Sequence, residues 1–187
     1  MSTTAAAPPI AAIGSDPLEW QSSDTFKIKD YLFQSSHFGA ERKDAEAIGA
    51  FWIMKNPELL ALYYDWVVPL APQNVVEIGV AGGGAAALLM EWFQPAKLCL
   101  VDIEDVTTPN FKNYLKTETA KNIHCFLDVD QSNKTRLEQV MKSEFLGEKL
   151  DLVIDDASHL YEPALATFET LFPKLRPNGV YIIEDWG

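Results

Sequence analysis

Residues 77–84 read Glu77-Ile-Gly-Val-Ala-Gly-Gly-Gly84, and this short stretch decides the fold. It overlaps the end of the apolar run Asn74-Val-Val-Glu-Ile78, which is typical of a buried strand, and it leads into good helix formers from Ala85 to Phe93. Glycines permit a sharp turn close to a ligand, and the following helix begins with free N–H groups. The pattern predicts a ligand-binding turn, although the same glycines could form a tight strand-to-helix turn that binds nothing.

Strand-like and helix-like segments alternate after this turn. Four further apolar runs are predicted as strands, at residues 98–103, 122–127, 150–154 and 180–183. The segments between them are long enough for the crossovers that parallel strands require, and several of them have helical periodicity. We therefore predict an α/β fold, with a doubly wound, mostly parallel sheet and helices on both faces.

The chain divides into three segments by composition. Residues 1–24 are rich in Ala, Pro, Ser and Thr, which predicts a flexible arm. Residues 25–72 are predicted as an N-terminal helical segment, with one or two short helices before residue 50 and a longer helix that starts at the cap Asn56-Pro57. Residues 73–187 are predicted as the cofactor-binding domain.

Composition excludes several classes of partner. The net charge of −12 makes nucleic acid and anionic membrane surfaces poor partners. Cys99 and Cys125 are expected to be free thiols, because both lie in apolar strand-like runs. The N-terminus lacks a secretory signal and no run is long enough to span a membrane, so a cytoplasmic location is expected.

Two residues of the glycine turn indicate the cofactor. Ala81 stands where a dinucleotide site would place its middle glycine, and the carboxylate of Glu77 would repel a pyrophosphate. Glu77 suits a cationic cofactor that carries an amino group and a sulfonium. The run resembles motif I of the Rossmann-like methyltransferases, E-x-G-x-x-x-G. The resemblance implies S-adenosylmethionine, held here by Glu77, Gly79, Ala81 and Gly83.

Acidic residues at the ends of the next strands extend this prediction. Asp102 follows the second strand and is expected to accept hydrogen bonds from the cofactor ribose, with Glu104 as a second choice. By resemblance, Asp130 and Gln131 after the third strand would lie beside the adenine. Asp155 after the fourth strand is also assigned to cofactor binding. Each of these residues alone would more simply be a solvated loop residue, but their order on successive strands favours the cofactor.

Two acidic clusters follow the last two strands. They are Asp155-Asp-Ala-Ser-His159 and Glu184-Asp-Trp186, and both are expected at the carboxyl edge of the sheet, where ligands bind in such folds. Converging carboxylates repel one another unless they share a cation, and oxygen ligands suit Mg²⁺. His159 is placed to accept a proton from a hydroxyl group, unless it merely precedes a helix and has no chemical role.

The tract 151–186 is similar to the metal-dependent sugar O-methyltransferases of macrolide biosynthesis and to the cephalosporin hydroxylase-like family. It reads V-I-D-D-A-S-H, then F-x-x-L-F-P-x-L-x-P-N-G, then Y-I-I-E-D-W. The resemblance spans residues 74–187 and implies metal ligands Asp156, Glu184 and Asp185, with His159 as general base and Asp156 as a second catalytic residue. The family fold continues with a helix and two strands, so the domain is expected to be incomplete at its C-terminus.

The sequence therefore predicts an S-adenosylmethionine-dependent O-methyltransferase that uses Mg²⁺ and acts on a hydroxyl group of a small molecule, such as a sugar or a natural product. Two alternatives stay open at this point. One is a non-catalytic, incomplete module that binds the cofactor or a partner, and the other is an NAD-dependent oxidoreductase. The open sheet edge and the aromatic-rich segment 25–66 are compatible with a homo-oligomer.

Overall fold

The computed structural model describes residues 18–36, 39 and 41–186. Its N-terminal part is a small four-stranded sheet in the order β1-β2-β3-β4, with antiparallel pairing except between the last two strands. The strands are β1 (Glu19–Trp20), β2 (Thr25–Ile28), β3 (Tyr31–Ser35) and β4 (Phe51–Ile53). Two helices belong to this part, α1 (Arg42–Ala47) and α2 (Pro57–Val67).

The sheet corrects the prediction of short helices alone before residue 50. In β2, Phe26 and Ile28 are buried while Lys27 between them is exposed, which is the two-residue period of a strand rather than the period of a helix. Among the residues described before residue 50, α1 is the one α-helix. The predicted arm lies outside the described residues up to residue 17, and β1 occupies part of its remainder. The helix predicted from Asn56 is confirmed as α2, with the Asn56 side chain accepting from the Leu59 N–H.

The rest of the chain confirms the predicted α/β fold. A five-stranded, wholly parallel sheet has the order β7-β6-β5-β8-β9. Its strands are β5 (Asn74–Ile78), β6 (Lys97–Val101), β7 (Ile123–Phe126), β8 (Leu150–Asp155) and β9 (Leu175–Ile183). The helices are α3 (Gly84–Phe93), α4 (Pro109–Tyr114), α5 (Lys134–Phe145) and α6 (Tyr161–Leu171). The strand order reverses direction between β5 and β8, and ligands bind at such a switch point in doubly wound sheets.

Two apolar cores cover the two faces of this sheet. On one face, α3 contributes Leu88 and Leu89, and the N-terminal sheet adds Phe26 and Phe33 to the same buried cluster. On the other face, α5 and α6 pack against Val76 and Val153 of the central strands. The N-terminal sheet therefore shares a core with the parallel sheet, and β4 lies against α3 next to the glycine turn.

The structure also bears on the predictions for the last strand, the two cysteines and membrane-spanning segments. The last strand begins at Leu175 rather than Val180, with an irregular register opposite Leu150–Leu152, and Asn178 adopts a φ of 65° within it. Cys99 and Cys125 are free thiols, as expected. Among the described helices, none combines the length and apolar character that a membrane crossing requires.

Candidate active site

The carboxyl ends of the parallel strands surround a cleft of roughly 330 Å³. The chain reaches this edge five times, because every strand of the sheet points the same way. The cleft is lined on one side by the turn after β5 and on the other by the loop after β8. Its walls include the predicted site residues Gly79, Ala81, Asp102, Asp130, Gln131, Asp156 and His159.

Two glycines of the turn are required by contacts within the protein. Gly79 has a φ of 90°, and a Cβ there would lie 2.2 Å from the carbonyl oxygen of Asp156. A Cβ on Gly84 would lie 1.9 Å from the carbonyl oxygen of Trp52, just after the start of β4. The turn is therefore packed tightly between the loop after β8 and the N-terminal sheet, and its position relative to both is fixed.

Asp102 braces this turn from the neighbouring strand. Its Oδ2 accepts from the N–H groups of Val80 at 2.7 Å and Ala81 at 3.2 Å, and its Oδ1 accepts from the N–H of Ile103 at 2.7 Å. The sequence suggested a ribose acceptor at this position. The structure adds a second role, because the carboxylate holds Ala81 in a left-handed conformation with a φ of 45°.

The loops after β7 and β8 are joined by one side-chain amide. Gln131 donates from Nε2 to Asp155 Oδ1 at 3.0 Å and accepts at Oε1 from the Ser158 N–H, also at 3.0 Å. Asp155 is buried, and this burial raises its pKa to about 6. Asp130 instead accepts from Ser132 within its own loop and borders the cleft. Of these residues, Asp130 and Gln131 line the cleft, while the buried Asp155 orients Gln131 by accepting its hydrogen bond.

The two acidic clusters meet at the cleft. Asp156, His159 and Asp185 each place one potential ligand atom within 4.8 Å of the others, and His159 Nε2 lies 3.2 Å from Asp156 Oδ1. His159 and Asp185 adopt left-handed backbone conformations, with φ of 56° and 49°. Such conformations cost energy in residues with a side chain, and they concentrate at functional sites.

Glu184 points away from this group and into the protein. Its Oε1 accepts from Lys55 Nζ at 2.5 Å and from the hydroxyl group of Tyr63. Lys55 also donates to Asp156 Oδ2 at 3.1 Å, so one ammonium group pairs with carboxylates that follow two neighbouring strands. Burial alone would lower the pKa of Lys55, but Glu184 and Asp156 outweigh burial and hold it above its ordinary value.

Lys55 and Tyr63 are not predicted from the sequence. A signal existed, because Lys55 is the only lysine or arginine between Lys43 and Lys97. A lysine with no other cation near it in sequence is a candidate for a specific pairing, because a lysine that becomes buried is almost always paired. Its partners Asp156 and Glu184 lie 101 and 129 residues away in the chain, so the sequence does not identify them.

Glu77 lies at the base of the turn and is almost completely buried. Its Oε2 has no hydrogen-bond partner within the described part of the chain. Burial raises the pKa of Glu77 to about 8, although the charge of Lys55 opposes the rise. A buried carboxyl oxygen without a partner fits a ligand that brings a cationic donor.

Comparison with known proteins places these features in a family. A family model described as "methyltransferase domain" matches residues 76–186. The 8-demethyl-8-alpha-L-rhamnosyl tetracenomycin-C 2'-O-methyltransferase of Streptomyces olivaceus is 33% identical over 119 residues, which are 60% of this chain and 28% of that protein. Mycinamicin VI 2''-O-methyltransferase of Micromonospora griseorubida is 30% identical over 119 residues, covering 60% of this chain and 27% of that protein. The chain thus spans less than a third of the length of these relatives.

Solved structures show the same fold. One is the MycE methyltransferase from the mycinamycin biosynthetic pathway in complex with Mg, SAH and mycinamycin VI. It superposes with a TM-score of 0.58 at 24% identity, over 75% of this chain and 36% of that one. At this identity the likeness is one of fold.

Proposed function

The chain belongs to the family of methyltransferase domains, and from this premise we propose that it takes part in O-methylation of a natural-product sugar, with S-adenosylmethionine as methyl donor and Mg²⁺ as helper ion. One observation carries the proposal. The same cleft is lined by Gly79 and Ala81 of the cofactor-type turn and by Asp156 and His159 of the acidic group, so a methyl donor and a hydroxyl acceptor would meet within it.

The residues around the turn fit the proposed cofactor. The unpartnered Oε2 of Glu77 would attract the amino group, and Gly79, Ala81 and Gly83 would form the backbone cradle. Asp102 would receive the ribose hydroxyls while it braces the turn. Asp130 and Gln131 would border the adenine, and Asp155 would support them through Gln131.

The acidic group fits a hard divalent cation. Asp156 and Asp185 would supply carboxylate oxygens, which Mg²⁺ prefers, and Glu184 is proposed as a further ligand from the adjacent position. In this structure the carboxylate of Glu184 is bound by Lys55 and Tyr63. Lys55 therefore stands beside any cation that binds here.

His159 is the proposed general base. The cofactor would supply an electrophilic methyl group, and the ion would make the acceptor hydroxyl more acidic. Asp156 holds the imidazole from Nε2 at 3.2 Å, so the ring is oriented before an acceptor arrives. His159 adopts a left-handed backbone conformation in the short loop that separates it from Asp156. A positioned base of this kind contributes roughly 10²–10⁴-fold to a proton transfer.

Exposed aromatic side chains beside the acidic group support a sugar acceptor. Tyr161 and Trp186 follow His159 and Asp185 closely in sequence, and their rings meet edge to face with centroids 6.0 Å apart. Both side chains are more than half exposed. Amphipathic rings of this kind can contact the apolar face of a sugar while its hydroxyls stay solvated.

Further proposals concern the partners, the location and the self-association of the protein. With a net charge of −12, the protein is expected to act on a small molecule rather than on nucleic acid or at a membrane surface. Cytoplasmic location and self-association are proposed with it. The oxidoreductase alternative is disfavoured, because the family model that matches residues 76–186 is one of methyltransferase domains.

Methyl transfer from S-adenosylmethionine to mycinamicin VI and to a rhamnosyl tetracenomycin tests this proposal. We expect product with at least one acceptor in the presence of Mg²⁺, a loss of at least about 100-fold when EDTA is added, and recovery when Mg²⁺ is restored. Mass spectrometry of the acceptor measures the gain of one methyl group. Transfer that EDTA leaves unchanged would contradict the metal assignment.

A further inference from the structure

Lys55 lies within the site but takes no part in the proposed chemistry. Its side chain is 1% exposed, and it lies between the loop after β8 and the loop after β9. A fully buried ammonium group is costly unless it is paired, and here it is paired twice, with Asp156 and Glu184. The Lys55 ammonium group and the two carboxylates therefore hold one another in position.

The N-terminal sheet fixes this ammonium group in place. The hydroxyl group of Ser35 on β3 donates to the carbonyl oxygen of Lys55 at 2.8 Å, in a buried contact. The next residue, Asn56, caps α2, and one face of that helix presents Tyr63 to the same Glu184 oxygen. Lys55 Nζ also lies 5.5 Å from the centre of the Tyr63 ring. The hydrogen bond to the Lys55 backbone, the Asn56 cap and helix α2 together hold the Lys55 ammonium group beside the acidic group.

The Lys55 ammonium group places a positive charge where a divalent ion would need negatively charged ligands. Asp156 Oδ2 is 3.1 Å from Lys55 Nζ, so an ion bound to Asp156 would lie within a few ångströms of the ammonium group. Two cations at such a distance repel each other strongly in a partly buried site. An ion would also have to share, or take over, the carboxylate that Lys55 now neutralises.

We propose that Lys55 is a positioning residue that acts as the counter-ion of Asp156 and Glu184 before a divalent ion binds, and that the ion competes with it for these carboxylates. The competition rests on the proposed metal-assisted function, whereas the counter-ion role does not. Lys55 thereby keeps the acidic group folded and limits how tightly the ion is held.

The counter-ion role is tested without metal, by thermal unfolding in EDTA. Lys55→Met leaves two carboxylates without their cation, and we expect it to lower Tm by roughly 10 °C. The double variant K55M/E184Q removes one of the stranded charges and is expected to melt at a higher temperature than K55M. Lys29→Met is the matched control, because it removes a Lys–Glu pair of 2.8 Å, between the turn that joins β2 to β3 and α3, away from the site.

The competition is tested by calorimetric titration with Mn²⁺ alone. We expect K55M to bind Mn²⁺ at least about tenfold more tightly than the wild type, and K29M to bind it with unchanged affinity. Lys55→Gln serves if K55M does not fold, since it removes the charge and keeps a hydrogen-bond donor. A purely structural lysine would instead give weaker or unchanged Mn²⁺ binding.

The outcomes separate the two proposals. Mn²⁺ affinity that does not rise in K55M or K55Q, or a double variant no more stable than K55M, overturns the inference about Lys55. A wild-type protein that binds no Mn²⁺ contradicts the proposed metal dependence instead, and the comparison of K55M with K55M/E184Q in EDTA then decides the counter-ion role by itself.

Discussion

Asp156→Ala is expected to reduce methyl transfer at least about 1000-fold while leaving the affinity for S-adenosylhomocysteine within about a factor of three. The side chain of Asp156 contacts both His159 and Lys55, and its carboxylate belongs to the group proposed to bind the ion. Its removal takes away a metal ligand and the support of the base together. The cofactor turn contacts the backbone of Asp156 rather than its side chain, so the cradle should survive.

The measurement combines turnover with Mg²⁺ titration and S-adenosylhomocysteine calorimetry on the same preparation. Asp128→Ala is the matched control, because Asp128 is another acidic residue at this edge of the sheet. It lies in the loop after β7, and its side chain is 76% exposed. We expect the control to keep both activity and Mg²⁺ dependence. Loss of cofactor binding together with turnover in D156A would mean that the two halves of the site have been assigned wrongly.

Asp102→Ala is expected to weaken S-adenosylhomocysteine binding by at least about 100-fold. The carboxylate accepts from the N–H groups of Val80 and Ala81, and without it these donors and the left-handed Ala81 lose their support. The proposed ribose contact disappears in the same substitution. Calorimetry measures the affinity, and a melting curve shows that the variant is folded.

Glu104→Ala is the matched control for Asp102. Glu104 follows the same strand, is exposed, and was the second candidate for the ribose contact. We expect its affinity to stay within about a factor of two of the wild type. A tenfold or larger loss in E104A with an unaffected D102A would move the ribose contact to Glu104.

The parallel sheet was predictable because its signals are local. Glu77 to Gly84 marks a strand, a turn and a helix within eight residues, and the apolar runs after it have lengths and spacings that favour parallel strands. The resemblance to macrolide sugar O-methyltransferases, which rests on the tract 151–186, is confirmed by the relatives. The motifs also led to the carboxyl edge of the sheet, where Asp156, His159 and Asp185 are found together.

The N-terminal sheet and the inward orientation of Glu184 were not predictable in the same way. Strands as short as Phe51–Ile53 carry little periodic signal, and their pairing depends on residues far apart in the chain. In the pair Glu184-Asp185, the sequence does not show which carboxylate faces the cleft, because Lys55 and Tyr63 decide this from another part of the fold. The role of Glu184 as a metal ligand stays a prediction.

The central claim is that the turn at Glu77 to Gly84 binds S-adenosylmethionine. Calorimetric titration of the wild-type protein with S-adenosylhomocysteine and, separately, with NAD tests it most directly. We expect saturable binding of S-adenosylhomocysteine with one site per chain, and no heat of binding with NAD. Saturable binding of NAD without binding of S-adenosylhomocysteine would contradict it.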